Sequence, residues 1–239
     1  MTNDNPNAPS AAVRQSFVYR EIICFPRYAM ESVRTAQAKK ALSEACVDYR
    51  GWPYVFFLPD SRVPPQYADD GIWACTNEPF GVRPMFNYWR FDYQRAVYYS
   101  QDMTPESSLK KPALLDPTLQ MSLLAESVIA MGRLYDTLEV PLNDALVFCM
   151  RISPMNGVRL GSLDEMKFRI YAHEPFSGDT LSVQTSDRLS RFLTQSSDLA
   201  ADLTVELCDK MGYAGTLGKD FFLKIGNDHL RKGQKTSSL

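Results

Sequence analysis

Phe86-Asn-Tyr-Trp-Arg-Phe-Asp-Tyr-Gln-Arg-Ala-Val-Tyr-Tyr99 places seven aromatic residues in fourteen positions. Rings of this size favour pleated, half-buried backbone, and each removes a large apolar area from water. Read at period two, Asn87, Trp89, Phe91 and Tyr93 share one face, and Phe86, Tyr88, Arg90 and Asp92 share the other. Gln94 and Arg95 interrupt the pattern before Val97, Tyr98 and Tyr99 resume it. The stretch therefore reads as a β-hairpin turning near residues 93–96. It has no Asn-Gly or Asp-Gly pair to specify the turn type. This hairpin is taken as the centre of a sheet, with further strands on its edges and helices on its apolar face.

Working outward, Phe17 to Phe25 reads as a strand stopped by Pro26. Residues 27–45 contain neither Gly nor Pro and have the composition of a helix with a small-sided stripe at Met30, Val33, Ala41 and Ala45. Cys46–Tyr49 reads as a short strand. Residues 51–84 carry six prolines and three glycines among scattered aromatics, which predicts a long packed loop with one strand near Ile72–Thr76. Long ordered loops are frequent locations of function.

Beyond the hairpin, Asp116-Pro117 supplies an N-cap and a proline suited to the first helical position. Leu124, Val128, Met131, Tyr135 and Leu138 then recur at spacings of 4, 3, 4 and 3, a continuous helical stripe ended by Pro141. Strands follow at residues 145–152, 158–160 and 166–171, the first two joined through a Pro154–Gly157 turn, with an edge strand at Leu181–Val183. A last helix spans residues 196–211, with Leu199, Leu203, Leu207 and Met211 inward and Gly212 as its cap. The pattern is an α+β fold: a mainly antiparallel sheet centred on the aromatic hairpin, with about three packing helices. Residues 1–15 read as a polar tail, 16–226 as one domain and 227–239 as a frayed polar tail.

The bulk chemistry excludes several classes. A net charge of −2 on 239 residues provides no positive field for indiscriminate duplex binding. No run of about 18 apolar residues is available to span a bilayer, and the start of the chain has no cationic-then-apolar leader. Five widely spaced cysteines without a Cys-x-x-Cys signal neither a zinc site nor a disulfide framework, and reduced thiols suit a cytoplasmic location.

Candidate chemistry is sparse. Gly215–Asp220 departs from a phosphate-binding loop, because Tyr213 stands where the first glycine belongs and Asp220 follows the lysine. Asp144, with Glu165 and Lys167 on a later strand, has the residue types of a metal-dependent nuclease, in which carboxylates hold Mg²⁺ and a lysine orients water. His173 has neither a second histidine nor a nucleophile elbow beside it. The second hairpin face offers a different prospect. Tyr88, Arg90 and Tyr98 would form a ring-and-guanidinium platform suited to stacking single-stranded bases. Where the 51–84 loop meets the hairpin, Arg50, Trp52, Trp73 and Arg90 are the candidate contacts for a ligand or protein partner.

Tyr49-Arg-Gly-Trp-Pro-Tyr54, then Tyr88-Trp-Arg-Phe91 with Val97-Tyr-Tyr99, then a long helix and the strand-turn from Val147 to Leu160 resemble one known arrangement. It is the portion that follows the DNA-binding module in bacterial AlbA-type (Schlafen-related) proteins. The likeness covers residues 40–215. It departs where Pro53-Tyr-Val-Phe56 replaces the family's Pro-His, and the segment before residue 40 is too short to be the DNA-binding module. The resemblance implies an accessory or sensor domain with no catalytic residues to carry over. The expectation is thus a non-catalytic binding or regulatory module without a cofactor. A protein or small ligand is its partner, with nucleic acid as the alternative and the oligomeric state open.

Overall fold

A computed structural model describes residues 18–47, 55–56, 64–80, 83–103, 114–161, 174–213, 215 and 217–236. In chain order the strands are β1 (Tyr19–Pro26), β2 (Gln66–Ala68), β3 (Gly71–Phe80), β4 (Arg83–Asp92), β5 (Val97–Asp102), β6 (Leu114–Leu115), β7 (Ala145–Ser153), β8 (Arg159–Leu160) and β9 (Leu181–Arg188). The helices are α1 (Thr35–Ala45), α2 (Pro117–Thr137), α3 (Leu189–Thr194), α4 (Ser196–Lys210) and α5 (Lys219–Thr236). Seven strands form one sheet in the order β2-β3-β4-β5-β1-β7-β9, every neighbouring pair antiparallel. β6 and β8 make a separate two-stranded parallel pair. The fold is α+β, and the quoted hairpin lies at its middle, with β5 the fourth strand of seven.

The hairpin turn closes without glycine. Asp92 donates its N–H to Ala96 O at 2.8 Å and accepts from Arg95 N–H at 2.7 Å, while its carboxylate accepts from Gln94 N–H at 2.7 Å. Arg95 takes the left-handed backbone at φ 69°, the position glycine ordinarily fills in such a turn. Its side chain accounts for the exception. Nε donates to Glu31 O at 3.0 Å and Nη1 to Leu138 O at 2.9 Å, placing a cation on the carbonyl end of α2. Tyr135 Oη lies 2.8 Å from Arg95 O and 2.8 Å from Cys24 O, tying α2 to both turn and sheet.

α2 is the hub of the helical layer. Asp116 caps it, accepting from Thr118 N–H at 2.8 Å and Leu119 N–H at 3.4 Å. Fourteen of its twenty-one residues are buried, including Gln120, Glu126 and Ser127, so neighbours surround it on all sides. The main core joins it to Ile22, Cys24, Trp89, Phe91, Val97, Tyr99, Leu146, Phe148, Met150 and Ile152, all on one sheet face. Phe56 meets Trp89 edge-on at 5.8 Å, and Phe148 packs on Phe192 of α3 at 6.4 Å.

The structure differs from the sequence reading in several places. The long loop expected over 51–84, with one strand near 72–76, instead contains β2, the ten-residue β3 and the start of β4, and the described residues form five helices where about three were expected. The helix expected over 27–45 begins at Thr35, because Val33 N–H is taken by Tyr93 O at 2.9 Å and holds the preceding segment extended. The edge strand expected at Leu181–Val183 runs on to Arg188. Residues expected to fray from 227 onward continue α5 to Thr236. Phe222 anchors that helix in the core, Gly226 is buried against Met121, and His229 Nε2 lies 2.5 Å from Glu126 Oε1. The strand expected at 166–171 lies outside the described residues. No described helix is long and apolar enough to cross a membrane.

Candidate functional site

Strand alternation gives the sheet a second face, and its composition follows from the register. One row crosses all seven strands: Gln66, Trp73, Arg90, Tyr98, Ile23, Cys149 and Gln184. The next row comprises Cys75, Tyr88, Ser100, Glu21, Arg151 and Ser182. On the other side of the first row, Phe25, Val147 and Ser186 lie abreast. From the helical layer, Lys210 at the end of α4 reaches the edge of these rows, its Nζ donating to Ser182 O at 2.7 Å.

This face divides in two. Around β4, rings lean on one another: Trp73 on Tyr88 at 6.2 Å, Tyr88 on Tyr98 at 5.9 Å, and Tyr19 edge-on to Phe86 at 6.2 Å. Tyr19, Phe86 and Tyr88 are buried there, with Trp73, Cys75 and Tyr98 half-buried beside them. Around β1 the face opens. Ile23 is 40% and Phe25 38% exposed, although β1 is an interior strand.

In these rows Glu21, Arg90 and Arg151 are paired within the chain. Glu21 accepts from the Tyr98 hydroxyl at 2.5 Å and from Arg151 Nε at 2.7 Å, and Arg151 Nη2 lies 2.5 Å from the same carboxylate. That bond holds the Arg151 guanidinium above its ordinary pKa. Arg90 is paired with Asp70. Burial raises the Tyr88 phenol, opposed by Arg90 beside it.

Of the candidates from the sequence, Trp73, Tyr88, Arg90 and Tyr98 are brought together on this face. Arg50 and Trp52 lie outside the described residues, as do Glu165, Lys167 and His173. Asp144 stands in the turn before β7, its N–H on Pro141 O at 2.9 Å and its carbonyl accepting from Leu189 N–H at 2.9 Å. Among the described residues, no group of three His, Cys, Asp or Glu is placed to hold a metal ion. Sequence reasoning missed Glu21, Ile23, Phe25 and Arg151. The alternation of β1 separates Glu21, Ile23 and Phe25 from Ile22 and Cys24, but their neighbours depend on β1 entering between β5 and β7.

The opposite face carries polar groups of another kind. Arg20 is fully buried, its Nε donating to Gln120 Oε1 at 3.1 Å and its Nη1 to Gln101 Oε1 at 2.9 Å. Gln120 Nε2 has no hydrogen-bond partner. These groups are sealed under α2 and support the architecture. The thiols are poor nucleophiles: burial pushes Cys75 up to about 11 and Cys208 to about 12, and it raises Cys149. What the outer face can do is bind. It has rings, aliphatic side chains and internally paired charges, and the described part of it holds no nucleophile–base pair.

No protein-family model, curated protein or solved structure matches this chain.

Proposed function

We propose that this chain is a non-catalytic binding module whose contact surface is the sheet face opposite its helices, and that its partner is a protein surface of low charge. The observation that supports this most is the exposure of Ile23 and Phe25 on an interior strand. Large apolar side chains side by side in open water mark a contact surface when they form a patch. Half-buried Tyr98, Val147 and Cys149 make this one continuous. The resemblance of the hairpin and its neighbours to accessory domains without catalytic residues agrees with this reading.

Single-stranded nucleic acid is the less favoured partner. Stacking needs open ring faces and phosphates need uncommitted cations. Tyr88 is 3% exposed, and Arg90 and Arg151 are each engaged by a carboxylate of the same chain.

An apolar-surface dye tests the reading on dilute protein. Its fluorescence is expected to rise with the wild-type chain and to fall in Ile23→Lys/Phe25→Lys, with the melting temperature unchanged. Equal dye response in the two proteins would remove the reading. A labelled single-stranded oligonucleotide with Mg²⁺ is expected neither to bind nor to be cut. Salt-sensitive binding lost in Tyr88→Ala/Arg90→Ala would establish the nucleic-acid alternative, and cleavage lost in Asp144→Ala would establish a nuclease.

A further inference from the structure

We draw no further inference here: the strongest candidate, the buried polar cluster beneath the first turn of α2 in which Arg20 meets Gln101 and Gln120, offers a ligand one unpartnered donor, Gln120 Nε2, and nothing among the described residues shows room beside that sealed nitrogen or the chemistry of an occupant.

Discussion

The two faces of the central sheet are built from alternate residues of the same strands, yet they solve opposite problems. On the helix side Ile22, Trp89, Phe91, Leu146, Phe148 and Ile152 have no exposed surface, and the Arg20 guanidinium is sealed there with glutamines as partners. On the other side Ile23 and Phe25 face outward, and the guanidiniums of Arg90 and Arg151 remain near water on carboxylate partners. Adjacent positions on one strand, Arg20 and Glu21 or Ile22 and Ile23, thus belong to different regimes. The difference teaches that an apolar residue in β1 says little by itself: helical cover makes one face core and leaves its neighbour partly exposed.

The sharpest way to break that comparison is to truncate one large side chain on each face. Trp89→Ala removes a fully buried indole with its edge-on contact to Phe56 and is expected to cost about 3–5 kcal/mol, read from the denaturant midpoint. Phe25→Ala, measured on dilute protein, is expected to cost less than about 1 kcal/mol. Comparable losses would mean that the outer face is core in the folded monomer.

A second pair compares charge. Arg20→Leu leaves the Gln101 and Gln120 amides unpartnered beneath α2 and is expected to destabilise by at least about 2 kcal/mol. Arg151→Leu breaks an ion pair whose arginine side chain is 53% exposed, and the expected loss is within about 1 kcal/mol. Added salt should shrink the second effect much more than the first.

How much of this was legible follows from the same contrast. The hairpin was readable because its rings alternate locally, and α2 because its cap, proline and stripe are all local signals. Tyr88, Arg90 and Tyr98 could be placed on one face for the same reason. The open patch could not be assembled from the sequence, because Ile23 meets Tyr98 and Cys149 only through pairings across long chain separations. α5 was hidden by its composition. Its lysines, asparagine and aspartates suggest a solvated tail, and what docks it is tertiary: Phe222 in the core, Gly226 against Met121, His229 on Glu126. The start of α1 failed for the mirror reason, since helix-forming residues before Thr35 are held extended by a bond from Val33 to the hairpin turn.

Tyr135 sharpens the comparison at the seam between turn, sheet and helix layer. Its hydroxyl serves Cys24 O and Arg95 O, both inside the core. Tyr135→Phe is expected to cost about 1–3 kcal/mol by leaving those carbonyls short of a donor. Tyr98→Phe, which removes the bond to Glu21 on the outer face, is expected to cost less, because Arg151 still holds that carboxylate. Equal losses in thermal melts would show that the outer network is as dry as the inner one.

The smallest expected effect lies at the rim of the helix layer, where charges are again half in water. Lys219 at the start of α5 reaches Asp198 at 2.9 Å and Asp202 at 2.7 Å, and Asp198 also accepts from Arg191 at 2.7 Å. The hydrogen bond from Lys219 holds Asp198 below its ordinary carboxylate pKa, and the bond to Asp202 holds Lys219 above its ordinary value. A carboxyl depressed in the folded state contributes stability above its unfolded pKa, near 3.8, and loses it as pH falls through the lower folded value. A raised lysine contributes below about 10.5 and loses it as pH rises through the higher folded value. Between these limits the cluster should be indifferent to pH. Asp198→Asn is expected to lower stability there by at most about 1 kcal/mol, an effect that shrinks in high salt. Only once the pH has fallen through the lowered folded pKa of Asp198, below 3.8, should the variant and wild-type melting curves converge. If they stay apart in acid, Asp198 holds α5 by packing rather than charge, and the rim belongs with the sealed face of the sheet instead of the open one.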